Sequence, residues 1–132
     1  MRDADPRYGA EVRARMASLA GAGRFARSPE VALGRAGDRE HGAEVVLACR
    51  VVAGRVEEAR FQAFGCPHLV AAASWLTDRL RGAGRADLEH WDWREAADAL
   101  AVPPAKFGRL LTLQDAVRAV AGNWPGAAAS TV

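Results

Sequence analysis

One stretch constrains the fold of this chain more than any other: residues 56–80, VEEARFQAFGCPHLVAAASWLTDRL. Its first part is rich in residues that suit a pleated strand, with Val56, Phe61 and Phe64 supplying bulk. Gly65 breaks that strand, and Pro67 stands where a helix would begin, a position at which its missing N–H costs nothing. Beyond it Leu69, Val70, Ala73, Leu76, Thr77 and Leu80 recur at helical spacing and form one apolar face. Cys66 is therefore expected at a strand end and a helix N-terminus, where main-chain N–H groups and the helix dipole favour a thiolate. Such a thiolate is a metal ligand or a nucleophile, and His68 lies two residues on; the plainer alternative is a packed cysteine at a strand–helix junction.

The remaining pattern builds an α+β domain around that unit. Residues 8–19 read as a helix with Tyr8, Val12, Met16 and Leu19 on one stripe, closed by Gly21 and Gly23. Residues 31–37 are short and glycine-interrupted, an edge strand or an extended loop. Residues 38–43 form a polar loop containing His41. In residues 44–52 Val45, Leu47, Cys49 and Val51 alternate toward a core, so Cys49 reads as a packed apolar residue. Ala53-Gly54 makes a tight hairpin. Residues 82–87 read as a connector, and Asp92 with Glu95 has the spacing of a capping box opening a short helix to Leu100. A last helix, 105–122, would bury Phe107, Leu110, Leu111, Ala116, Val117, Val120 and Ala121. The four tryptophans read as packing residues. The sum is a small antiparallel sheet of two or three strands with helices on one face. Residues 1–132 read as one domain, with 1–7 and 124–132 as frayed tails.

Composition excludes several classes of function. Eighteen basic against sixteen acidic residues leave a net charge of +2 with no long basic run, so nothing points to nucleic acid. Lys106 is the only lysine. No apolar run approaches the ~20 residues of a membrane span. A polar N-terminus and two cysteines without a secretory signal point to a reducing cytoplasm.

The order of elements, and several segments within it, resemble the IscU/NifU N-terminal iron–sulfur cluster scaffold family from Tyr8 to about Val120. VEEARFQAFGC at 56–66 is similar to the family's I-E-D-A-R-F-x-x-Y-G-C segment almost position for position. Gly23-Arg24-Phe25 looks like the glycine–aromatic turn after the family's first helix, and residues 31–37 look like its glycine-rich first strand. Val102, Pro103, Pro104, Ala105 and Lys106 look like the L-P-P-V-K segment through which the family engages an Hsp70-type chaperone, and Gln114-Asp115-Ala116 like the E-D-A that follows. The resemblance implies a scaffold, not an enzyme. It implies a [2Fe–2S] cluster held by three cysteines and an aspartate, sulfur supplied by a cysteine desulfurase, and self-association left open.

At the ligand positions this chain departs from the pattern. Cys66 matches the second cysteine. The family's A-C-G-D loop becomes Glu40-His41-Gly42-Ala43, so His41 stands for the first cysteine and Ala43 for the aspartate. The third cysteine falls on Arg109 and the histidine beside it on Gly108. Thiolates hold iron–sulfur clusters, with histidine an accepted replacement on one iron, and one cysteine plus one histidine are too few for a single chain. Cys66, His41 and His68 could instead form a three-ligand site for Zn²⁺ or Fe²⁺, although each histidine also reads as a plain surface residue. Arg109 cannot ligate metal; it would oppose a cation and favour a thiolate or bound anion, or else extend into water. Two functions follow. One is a divergent scaffold with Cys66 as its metal-binding or sulfur-accepting thiol. The other is a cluster-free or zinc-binding module that modulates a desulfurase or chaperone. A thiol enzyme using Cys66 with a histidine base is a third reading, without an acid partner or oxyanion loop to support it.

Overall fold

The structure is a computed structural model that describes residues 8–126. Three strands, β1 (Val31–Asp38), β2 (Ala43–Val52) and β3 (Arg55–Phe64), form one antiparallel sheet in the order β1-β2-β3. Five helices accompany it: α1 (Ala10–Ser18), α2 (Pro67–Arg79), α3 (Arg85–Glu89), α4 (Arg94–Leu100) and α5 (Phe107–Gly122).

Alternation along β2 sorts the sheet into two faces. Val45, Leu47, Cys49 and Val51 are buried beneath the helices, and Leu47 and Cys49 are wholly inaccessible. Burying a leucine of this kind contributes about 2 kcal/mol. The hairpin turns at Ala53 and Gly54, both with positive φ, as a two-residue connection matched to strand twist requires. Helices α2 and α5 lie on the inner face, α2 against β3 and α5 against β1 and β2. On the opposite face Arg50 pairs with Glu57 and Glu58, and Arg60 with Glu58, so these arginines are surface charge.

Several expectations are sharpened or corrected. Residues 31–38 are a full edge strand, and the polar loop after them contains a 3-10 turn at Arg39–His41. The expected connector at 82–87 contains the start of α3. The capping box at Asp92 does not form. The Asp92 carboxylate accepts from the Arg94 N–H at 2.8 Å, while Glu95 accepts from the Trp91 indole and from Arg79. Leu19 and Leu111, assigned to apolar faces, are exposed: Leu19 takes a left-handed conformation that ends α1, and α5 buries Leu113 instead of Leu111. Trp124, placed in the frayed tail, is buried, and Tyr8, Met16, Trp75, Trp93 and Phe107 pack at the core's margin. Residues 1–7 and 127–132 of the expected tails lie outside the described residues.

Candidate functional site

The corner at which β2 begins and β3 ends brings three distant segments together. Glu44 pairs with Phe64, so antiparallel pairing carries the chain outward to Gly42-Ala43 on one strand and Gly65-Cys66 on the other. A Cβ placed on Gly65, whose φ is 156°, would lie 3.3 Å from the Gly42 carbonyl and 2.8 Å from the Leu69 side chain. Only glycine lets the strand turn into α2 this tightly. Gly42 closes the 3-10 turn at φ 82°, donating its N–H to the Arg39 carbonyl.

Cys66 is the N-cap residue of α2, in extended conformation, and its carbonyl accepts from the N–H groups of Leu69 and Val70. Its thiol is free and half-buried. Cys49 is also free but wholly buried, and burial pushes its thiol up to about 12. The two cysteines are thus different chemically: one sits at a helix N-terminus within reach of solvent, the other is a core residue, as the strand alternation implies.

The third segment is the first turn of α5. From there Arg109 reaches back, its Nη1 donating to the His41 carbonyl at 3.4 Å. Its two terminal nitrogens lie 3.8 and 3.9 Å from where a Gly42 Cβ would be. Gly108, beside it, has open space around it. The residues that the family resemblance matches to its four ligand positions, His41, Ala43, Cys66 and Arg109, are therefore carried on segments that meet at one corner.

The two histidines go different ways. The His41 ring is 83% exposed, and its Nδ1 lies 2.8 Å from the Asp38 carboxylate. Asp38 also accepts the His41 N–H, and these hydrogen bonds hold its carboxyl below the usual value. His68 is buried, 3% exposed, with its ring 5.1 Å from that of Tyr8. Among the described residues its Nδ1 has no partner, and burial, assisted by the positive charge of Lys106, holds its pKa below the ordinary imidazole value. Among the described residues no three His, Cys, Asp or Glu side chains are grouped to hold a metal ion, so Cys66, His41 and His68 are not assembled as a ligand set here. One thiol with an arginine above the neighbouring turn does not fit a [2Fe–2S] cluster held by this chain's side chains alone.

The segment Val102–Lys106 anchors itself through Val102, which is buried, and exposes Pro103, Pro104 and Ala105. A 3-10 turn at Pro104–Lys106 leads directly into α5, whose first turn carries Arg109.

The NifU-like N-terminal domain family matches residues 8–130. This chain belongs to that family. Among curated NifU-like relatives, the iron–sulfur cluster assembly scaffold protein IscU of Azotobacter vinelandii is 28% identical over 100 residues, covering 75% of this chain and 78% of that one. The mitochondrial iron sulfur cluster assembly protein 1 of Eremothecium gossypii is 35% identical over 66 residues, half of this chain and 43% of that protein. The nitrogen fixation protein NifU of Cereibacter sphaeroides is 49% identical over 51 residues, 39% of this chain and 21% of that protein, so this chain spans only part of some relatives. The NifU-like fold is shared with a crystal structure described as an iron–sulfur cluster assembly scaffold protein for the SUF system from Fervidobacterium islandicum AW-1. That likeness has a TM-score of 0.66 at 12% identity, over 85% of this chain and 94% of that one. A nitrogen-fixing NifU-like protein from Brucella abortus follows at 0.54 and 15% identity, over 86% and 77%.

Sequence reading missed the residues found beside the two histidines, Asp38 at His41 and Tyr8 at His68. The Asp38–His41 spacing is the available local signal for the first; no local signal reports that Tyr8 covers His68. No helix among the described residues is long and apolar enough to cross a membrane.

Proposed function

We propose that this NifU-like chain serves in iron–sulfur cluster assembly as a carrier of sulfur, with Cys66 as the acceptor thiol, and that it does not hold a complete cluster by itself. The observation that carries this reading is the corner itself: four ligand-equivalent positions on converging segments, of which only Cys66 bears a thiol. The relatives' roles in cluster assembly suggest the pathway, and the family's sulfur source, a cysteine desulfurase, supplies the donor. In the transfer the Cys66 thiolate attacks the terminal sulfur of the donor's persulfide. A new S–S bond forms at Cys66, the donor's S–S bond breaks, and the donor cysteine leaves as a thiolate with no net oxidation. Both cysteines are free, which suits a reducing cytoplasm.

A second role has its own support. The exposed Pro103-Pro104-Ala105 face offers a surface for an Hsp70-type chaperone, as the matching segment does in the family. The module reading, in which this chain binds desulfurase or chaperone without carrying sulfur, differs from the first in one measurable respect. After incubation with a cysteine desulfurase and cysteine, peptide mass spectrometry is expected to find an extra sulfur on Cys66 and none on Cys49. A chain that binds the desulfurase yet never gains sulfur would support the module reading instead.

A further inference from the structure

We propose that Arg109 turns the Cys66 corner into a receptor for anionic sulfur, its guanidinium stabilising the terminal sulfur of a persulfide carried on Cys66. The inference rests on the sulfur-carrier reading and adds the residue that recognises the cargo.

Arg109 occupies the first turn of α5, where the helix dipole disfavours a cation. Its placement there calls for a compensating anion. Among the described residues it forms no ion pair; its one hydrogen bond goes to the His41 carbonyl, at the long distance of 3.4 Å. Two acidic residues of the loop are engaged with other partners: Asp38 holds His41, and Glu44 lies 3.5 Å from Arg39. Ala43 supplies no acid where the family resemblance expects an aspartate. A guanidinium has five donors, stays charged at any physiological pH and cannot ligate metal.

Other features of the corner have the same sign. The N-termini of α2 and α5 both lie there, and Lys106 acts electrostatically on His68, two residues beyond Cys66. Cys66 is the one thiol among these positions, Cys49 being buried in the core. Thiolates and a carboxylate at these positions would be negative, and so receptive to iron; this chain sets Ala43 and Arg109 there instead. The anion that suits it is one formed on Cys66 itself. A persulfide is a stronger acid than its parent thiol, so at neutral pH the product of sulfur transfer is R–S–S⁻, with its charge on the outer sulfur. Reaction with glutathione persulfide gives that product directly: the Cys66 thiolate takes the outer sulfur, glutathione leaves as thiolate, and the proton of the new persulfide passes to solvent.

The test uses the whole chain and glutathione persulfide as donor, so that no desulfurase contact is involved, and follows Cys66 persulfide by peptide mass spectrometry. Arg109→Ala is expected to lower the rate of its formation roughly ten-fold at low salt, which corresponds to about 1.4 kcal/mol. Arg109→Lys, which keeps the charge, should recover most of that loss, and added salt should slow the parent toward the alanine variant. Thermal melts establish that each variant is folded; if Arg109→Ala does not fold, Arg109→Gln replaces it. A folded variant without the charge that takes up sulfur as fast as the parent overturns the role of Arg109 and leaves the carrier reading standing. A parent chain that takes no sulfur on Cys66 overturns both.

Discussion

The Arg109 guanidinium donates to the His41 carbonyl at 3.4 Å, so the two residues that the family resemblance matches to its third and first ligand positions touch, although 68 positions separate them in the chain. That contact sets side by side two segments that the family resemblance matches to ligand positions. It predicts that the corner can be rebuilt. His41→Cys, Ala43→Asp and Arg109→Cys combined should give a chain that, reconstituted anaerobically with ferrous iron and sulfide, carries a stable visible [2Fe–2S] chromophore. A triple variant that folds and stays colourless would show that the segments do not meet closely enough.

The two thiols should separate cleanly under alkylation. Iodoacetamide at neutral pH is expected to modify Cys66 and leave Cys49 untouched until the protein is unfolded, because Cys49 is wholly buried with its thiol raised to about 12. Equal modification in the native state, read by peptide mass spectrometry, would contradict the core assignment of Cys49.

Two glycines near the site should respond with opposite sign. A Cβ on Gly34 of β1 would collide with the Ala116 carbonyl and come within 2.6 Å of the Val120 nitrogen, so Gly34→Ala should cost about 2–3 kcal/mol by forcing α5 off the sheet. Gly108, in the first turn of the same helix, has nothing within 4 Å of such an atom. Gly108→Ala should stabilise by roughly 0.5–1 kcal/mol through a less flexible unfolded chain. Urea denaturation of both variants checks the pair, and equal midpoints would refute the packing described for β1 against α5.

Buried, neutral His68 should make stability depend on pH. Its folded pKa lies below the ordinary value of about 6.5, so the unfolded chain binds more protons as pH falls through that value. The contribution of His68 is therefore complete above about pH 6.5 and is lost as pH falls through the folded pKa. The melting temperature of the parent should drop more steeply than that of His68→Leu between about pH 7.5 and pH 5. Parallel profiles would mean that the imidazole stays neutral in both states or charged in both.

Much of the fold is legible in local pattern, and much of the site is not. The alternation of Val45, Leu47, Cys49 and Val51 and the Gly65-Cys66-Pro67 hinge report β2, β3 and the start of α2, because strand pleat and proline geometry act within a few residues. Helix α3 is obscured because its five residues follow Gly82 and Gly84, and too few apolar positions remain to show a period. Leu111 and Leu113 exchange places because the face α5 buries is set by its approach to β1 at Gly34, a tertiary fact. The ligand-equivalent positions come from family resemblance rather than spacing, and the reach of Arg109 over Gly42 is a contact between segments with no local sign. His41 illustrates the same limit: a single histidine beside a ligand position looks like a ligand until Asp38 is seen to hold it at 2.8 Å.

The central claim is that this corner carries sulfur on one thiol and does not hold a cluster with its own side chains. Anaerobic reconstitution of the parent chain with ferrous iron and sulfide tests it most directly, with iron counted per chain and the species confirmed as monomeric. The account predicts at most a weak, substoichiometric chromophore that is lost on desalting. A stable [2Fe–2S] spectrum at one cluster per monomer would contradict it.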